Sequence, residues 1–385
     1  MIKMEETKDI TGLNLPLKGV GGPKRIIISG GGTGGHIFPA IAIANALKKL
    51  DPATEILFVG ALGRMEMERV PAAGYKIVGL NIQGIQRGSI MKNLLFPFKL
   101  LSSVMQSVSI IRSFKPNAAV GVGGYASGPL LYAASLKGIP YLIQEQNSYA
   151  GITNKRLGKK ARKICVAYDG MEKFFPADKI IITGNPIRRE SVDINGKHAQ
   201  ALEWAKLKAD KKIIFITGGS LGARTLNESV LAGLAKIIAA DIQLIWQTGK
   251  HYYGGIMDSL GENVSSNIRV MEFVDRMDLA YAAADIIISR AGGTISELCA
   301  VRKPAILVPS PNVAEDHQTS NAMSLVKKNA AILVTDKDAQ SQLIDAAIGL
   351  LNDKEKQKIL SENIGKLALL NADEDIANEV MKISN

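Results

Sequence analysis

Cysteine is almost missing from this 385-residue chain, which has only Cys165 and Cys299. The two lie far apart, each beside an apolar segment and neither at a metal-ligand spacing. Buried free thiols are expected, in keeping with a reducing cytoplasm, and nothing suggests a disulfide-stapled secreted fold. Histidine is scarce too: His36, His198, His251 and His317 share no spacing that suits a metal. No apolar run approaches the roughly 18 residues of a membrane span. Residues 1–22 lack the apolar stretch of a signal peptide, so a poorly ordered arm ahead of the first strand is expected. Acid is absent over a long interval, since residues 69–144 carry eight basic residues and no Asp or Glu.

That gap belongs to a wider asymmetry. Residues 1–184 hold 24 Lys+Arg against 11 Asp+Glu, and the other 201 residues hold 23 against 25. The formal net charge of +11 therefore comes from the first half, which is suited to meeting something anionic. Nucleic acid and an anionic membrane surface both qualify. In "RGSIMKNLLFPFKLLSSVMQ" (87–106), Ile90, Met91, Leu94, Leu95, Phe96 and Phe98 interleave with Arg87, Lys92 and Lys99. That mixture suits a lipid headgroup boundary. A helix with one face in its own core is the plainer alternative. Two aromatics and few arginines make nucleic acid the weaker reading, and no nucleic-acid partner is expected.

What is present reads as globular: 46% of residues are hydrophobic and 22% charged. The length exceeds one ordinary core, so two domains are expected. Short β-rich runs such as "KRIIISG", "EILFVG" and "AAVGVG" in the first half, and "KKIIFITGG", "IQLIWQTG" and "DIIISRAG" in the second, alternate with helical stretches. Near-continuous apolar strands with helices between them imply parallel sheets covered on both faces. The fold class is α/β, as two Rossmann-like doubly wound domains facing across a cleft. The expected boundaries are an extension over 1–22, a first domain over 23–184, a second over 185–365, and a terminal helix within 366–385 that packs back on the first. Pro186 punctuates the junction "TGNPIRRE".

Both halves open with a strand running into a Gly-rich turn, "GGGTGGH" and "GGSLGAR". Glycine there lets backbone N–H groups approach a ligand, and the following helix N-terminus favours phosphate. Pro39 suits the first turn of that helix. Gly30-x-Gly32-x-x-Gly35 also fits a dinucleotide fingerprint. However, the second strand, "EILFVG", ends without the carboxylate a ribose needs, and His36 stands where a P-loop requires lysine. With "GVGGYASGP" and "SRAGGTISE", four such loops close strands in both halves. Together they imply phosphates held on both sides of the cleft.

The stretches "GGGTGGHIFPAIAIANAL", "GVGGYASGP", "QEQNSYAGITNK", "GNPIR", "GGSLGAR", "FVDRMDLAYAAAD", "SRAGGTISEL" and "PSPNVAEDHQTSNA" run in order from residue 30 to 322. In that order they resemble the bacterial peptidoglycan N-acetylglucosaminyltransferases, the MurG family. The resemblance implies a GT-B fold. It also implies inverting transfer of N-acetylglucosamine from UDP-GlcNAc to the C4 hydroxyl of the muramoyl sugar of lipid I, giving lipid II. That acceptor is an undecaprenyl-diphosphate-linked muramoyl-pentapeptide, so the expected place is the cytoplasmic face of the cell membrane, held peripherally. A GT-B transferase with another lipid acceptor, of the diacylglycerol type, is the alternative. No cofactor or metal is implied.

By the same match, Val274 is expected to meet the uracil edge through its backbone and Glu297 to accept both ribose hydroxyls. Ser220 is expected at a phosphate, and Arg188 at the departing UDP, with an interdomain ion pair as its plainer alternative. Gln318 and Asn147 are expected to read sugar hydroxyls. Thr33, Gly34 and Gly35 would cradle the diphosphate side, and Gly293, Thr294, Ile295 and Ser296 the donor side. The loop between Arg290 and Glu297 is one residue shorter than the family's, which shifts the match there by up to one position. His36 is expected to be the general base, with Glu145 as its rival. The "DKD" at 336–338 has the look of a metal motif, but turn and cap chemistry accounts for it.

Overall fold

A computed structural model describes residues 22–82, 84, 96–261 and 265–385. The stretch 1–21, and Arg87, Ile90, Met91, Lys92, Leu94 and Leu95 of the basic apolar segment, lie outside the described residues.

The first half supplies strands β1 (Arg25–Gly30), β2 (Glu55–Ala61), β3 (Lys76–Leu80), β4 (Ala118–Gly123), β5 (Tyr141–Glu145), β6 (Lys163–Val166) and β7 (Ile180–Ile182). They form one sheet in the order β3-β2-β1-β4-β5-β6-β7. The second half supplies β8 (Ile213–Thr217), β9 (Gln243–Gln247), β10 (Ile268–Met271), β11 (Ile286–Ser289), β12 (Ala305–Leu307) and β13 (Ile332–Leu333), ordered β10-β9-β8-β11-β12-β13. All the pairings are parallel. Each half winds outward from its first strand and then restarts on that strand's other side. The loops at that switch part and leave a crevice at the strands' carboxyl ends.

The strands are buried because helices cover both faces. In the first half these are α1 (Gly34–Leu50), α2 (Glu66–Ala72), α3 (Phe96–Phe114), α4 (Ser127–Leu136) and α5 (Ile152–Gly158). The second half has α6 (Arg189–Val192), α7 (His198–Ala205), α8 (Arg224–Ala239), α9 (Lys250–Leu260), α10 (Met277–Ala283), α11 (Thr294–Val301), α12 (His317–Val326), α13 (Ala339–Asn352), α14 (Lys354–Gly365) and α15 (Ala372–Ile383). Ile26, Ile27 and Ile28 of β1 are fully buried, alternating between the apolar clusters on the two faces. The last helix, α15, lies against the first sheet, where Ile376, Ala377 and Val380 join Ile26, Ile28 and Cys165. Lys49 on α1 pairs with its Glu374 at 2.9 Å.

Two local features differ from the sequence reading. Strand β3, "KIVGL", is an edge strand in which only Leu80 is buried, so its apolar signal is weak. Helix α1 starts at Gly34 rather than at 39, because the Thr33 carbonyl accepts from the N–H groups of both His36 and Ile37. Pro39 therefore sits inside the helix, past its first turn, and has no N–H to give the Gly35 carbonyl four residues back. Both cysteines are free and buried.

Candidate active site

A cavity of about 300 Å³ opens between the two sheets. Gly34, Gly35, Phe38 and Gln146 line it from the first half, Asn185 and Arg188 at the crossing, and Ser220, Gln247 and Glu297 from the second.

On the first side the glycine loop is held from behind. Glu66, buried at the start of α2, accepts from the Gly32 N–H at 2.9 Å and the Ala61 N–H at 3.0 Å. A side chain at Gly31 would strike that carboxylate, and one at Gly60 would strike the Glu66 Cγ. The Gly32 amide is thus already satisfied, and the backbone that faces the cleft is Gly34–Gly35, in the first turn of α1. The β4 loop closes over the same place. Gly31 N–H donates to the Gly123 carbonyl at 3.2 Å, and Gly123, at φ +113°, packs against the His36 ring. A Cβ there would sit 2.4 Å from His36 Cδ2 and 2.6 Å from Nε2.

His36 is therefore wedged between the two Gly-rich loops of the first sheet, and neither it nor Thr33 is part of the cavity lining. Its Nδ1 lies 3.3 Å from Thr33 Oγ1. Burial lowers its pKa, the Gly31 carbonyl opposes that shift, and the charge of His317 on the facing half adds to it. The imidazole is neutral at pH 7. Glu145 stands apart from the cavity. One carboxylate oxygen accepts from Asn147 N–H at 3.2 Å, and the other accepts from Gly151 N–H at 3.2 Å and from Asn154 Nδ2 at 2.8 Å. Burial raises its pKa while those donors pull the other way. Glu145 organises its loop. Asn147 is likewise outside the cavity lining, since its side-chain oxygen accepts from Asn321 Nδ2 at 3.2 Å.

Asn321 is a residue that sequence reasoning missed. Buried on α12, it also accepts from Ser148 N–H at 2.8 Å and donates to the Ala291 carbonyl at 3.1 Å. One amide thus links the loop after β5 to the loop after β11.

On the second side, Ser220, Val274, Gly293, Thr294, Glu297 and Gln318 all line the cavity. Ile295 and Ser296 do not, because they lie on the opposite face of α11. Val274 is buried and its N–H donates to Gln247 Oε1 at 3.0 Å, while Gln247 Nε2 donates to the Gly219 carbonyl at 2.8 Å. Gln247, also missed, therefore ties the Val274 backbone to the glycine loop that carries Ser220. Its place as the last residue of β9 was the signal available. Glu297 accepts from the Tyr281 hydroxyl through Oε2 at 2.7 Å. Burial raises its pKa, opposed by Tyr281 and then by Arg188. Gln318 Oε1 accepts from Ser310 N–H at 2.8 Å.

Arg188 has an exposed guanidinium, with its Cζ 5.3 Å from the centre of the Phe38 ring, and no ion-pair partner among the described residues. A cation left unpaired at the mouth of a cleft suits an anionic ligand. Arg290, by contrast, is fully engaged with Asp336 and the Val308 and Pro309 carbonyls. Asp336 also accepts from Thr225 of α8 at 3.0 Å, and Asp338 accepts from Thr335 at 2.6 Å, so one "DKD" carboxylate ties its loop to α8 and Arg290 and the other binds its own turn.

Comparison with known proteins agrees with this geometry. Residues 26–166 match the glycosyltransferase family 28 N-terminal domain and residues 213–380 its C-terminal domain. A protein of Parabacteroides distasonis is 56% identical over 93% of this chain and 98% of its own length, and one of Bacteroides thetaiotaomicron is 57% identical over 94% and 98%. Both are named UDP-N-acetylglucosamine–N-acetylmuramyl-(pentapeptide) pyrophosphoryl-undecaprenol N-acetylglucosamine transferase. The crystal structure of Acinetobacter baumannii MurG superposes with a TM-score of 0.77 at 28% identity, covering 94% of this chain and all of that one. A UDP-GlcNAc 2-epimerase of Neisseria meningitidis, 17% identical with a TM-score of 0.64, shares the fold. With two GT-B domains, a cleft between their strand ends and relatives alike over nearly the whole chain, this protein belongs to the MurG family of glycosyltransferases.

Proposed function

We propose that the cleft transfers N-acetylglucosamine from UDP-GlcNAc to the C4 hydroxyl of the muramoyl sugar of lipid I, with inversion, to make lipid II. The observation that carries this is the close likeness to relatives so named, over nearly their full length. The second half would hold the donor. Glu297 keeps Oε1 for the ribose, the Gly293–Thr294 turn and Ser220 face the diphosphate, and the Val274 carbonyl remains for the uracil edge. Arg188 would stabilise charge on the leaving UDP.

The acceptor would enter from the first half. His36 is the proton acceptor in this reading, because it is neutral at pH 7 and Glu145 is occupied by four donor contacts. It lies just behind Gly34 and Gly35, so closing of the cleft around both substrates must bring the hydroxyl to it. The lipid tail would stay in the membrane. Phe98, Leu101 and Met105 fall on one face of α3 and are 72%, 61% and 66% exposed, a patch suited to the headgroup boundary of the inner leaflet.

The test is to incubate the protein with UDP-GlcNAc and a short-chain lipid I analogue in EDTA, reading UDP release and the disaccharide. A β-1,4 disaccharide is expected. Donor binding without transfer would overturn the acceptor assignment, and loss of transfer in EDTA would overturn metal-free chemistry. Arg188→Ala is expected to lower kcat by about 10²-fold, as loss of one transition-state donor does.

A further inference from the structure

Behind the cleft, where the chain crosses between its halves, lies a second cavity of about 210 Å³. Its walls include the outgoing crossing at Ile182–Asn185 and the returning one at Leu367 and Leu369. The crossings touch: a Cβ at Gly184, φ +87°, would fall 2.6 Å from Leu369 Cβ. Helix α11 is a wall common to both cavities. Thr294 and Glu297 face the cleft, while Ile295, Ser296 and Cys299 face this second space.

The chemistry of the lining is specific. Most of it is apolar, the Lys328–Asp169 pair at 2.8 Å balances its own charge, and the third charged group, the exposed Lys366, donates to Asn363 Oδ1 at 3.1 Å. The Tyr168 hydroxyl and the Ser296 hydroxyl make no side-chain hydrogen bond among the described residues. Burial pushes the Cys299 thiol up to about 12 and keeps the Tyr168 phenol protonated, so neither contributes charge. A cavity of about 150 Å³ lined by apolar groups admits benzene. At about 210 Å³, this one has room for a ring and a short substituent.

We propose that this hinge cavity binds a small neutral molecule, one ring bearing a single hydroxyl or carbonyl, and that its occupancy changes donor affinity through α11. The ring packs against Leu325 and Leu369, and its polar group pairs with Tyr168. A molecule that fills the space fixes both crossings and one face of the helix whose other face carries Glu297. Linkage then requires donor and hinge ligand to alter each other's affinity by the same factor. The coupling rests on the donor assignment above, while binding in the cavity does not.

The test uses the full chain and p-cresol as probe, read by saturation-transfer NMR with the cleft filled by UDP. Wild type is expected to bind it with a millimolar or tighter Kd, Tyr168→Phe at least fivefold more weakly, and Ala167→Phe, which fills the space, not at all. Saturating p-cresol is expected to shift the UDP Kd at least threefold in wild type and not in Ala167→Phe. No binding, or equal binding to wild type and Tyr168→Phe, overturns the site, and Tyr168→Phe decides this if Ala167→Phe fails to fold. An unchanged UDP Kd with p-cresol bound overturns the coupling. Failure of UDP to bind at all would instead overturn the donor assignment.

Discussion

In the proposed transfer His36 and Glu145 are the two candidates for the acceptor's proton, and burial acts on them in opposite senses. It disfavours charge in each, so the carboxyl of Glu145 is raised and the imidazole of His36 lowered. At pH 7 His36 is ready to accept a proton. Replacing it by Gln should lower kcat by about 10²- to 10⁴-fold with little change in donor Kd, as loss of a general base does. A drop of only a few-fold would end that role. The same shift bears on stability. A neutral, half-buried histidine must charge as pH falls, and the unfolded chain binds its proton first, below pH 6.5. Stability is therefore lost on going below pH 6.5 toward the folded pKa, and His36→Gln should flatten that slope in urea titrations. Glu66 does different work, because it completes two backbone N–H groups, that of Ala61 buried and that of Gly32 half-buried. Glu66→Gln keeps one acceptor and sets an NH2 against the other amide, so a loss of about 2–3 kcal/mol in urea unfolding is expected.

At the scale of elements, Gly123 shows how loop and site are joined. Its φ of +113° disfavours any side chain, and a Cβ would press into the imidazole as well. Gly170, at φ +72° with open space around it, isolates the backbone effect. Gly170→Ala should cost about 1 kcal/mol and Gly123→Ala about 2–3 kcal/mol with a large loss of kcat. Equal costs and unchanged turnover would show that the loop does not hold His36. These glycine loops were legible in the sequence, and so was the α/β class, because buried parallel strands read as unbroken apolar runs. Strand β3 was not: "KIVGL" is a short run broken by Gly79 at the sheet edge, with only Leu80 buried. The start of α1 was hidden by its own glycines, which read as loop while the Thr33 carbonyl nucleates the helix. Glu66 and Asn321 were invisible, and Gln247 offered only its place at the end of β9. Each is an ordinary polar residue whose partners, mostly backbone groups, are brought near only by folding.

On the scale of the whole molecule, charge and apolar surface are distributed unequally between the halves. The first carries the excess of Lys and Arg, and it also carries α3. Phe98, Leu101 and Met105 are spaced by three and four residues, so they share one helix face, and the structure leaves that face uncovered by any described residue. Being solvent-exposed, the three can be replaced by Glu with little effect on folding. Burying each in a lipid interface returns about 1 kcal/mol of the 1.5–3 kcal/mol available for full burial. The triple variant should therefore bind vesicles of phosphatidylglycerol about 10²-fold more weakly than wild type, and wild-type binding should fall as salt rises. Transfer to a short-chain, water-soluble acceptor should be unchanged, because none of the three residues lines the cleft. If soluble transfer fell along with vesicle binding, α3 would belong to the acceptor site itself. If vesicle binding held, the membrane would be met through another surface of the basic half.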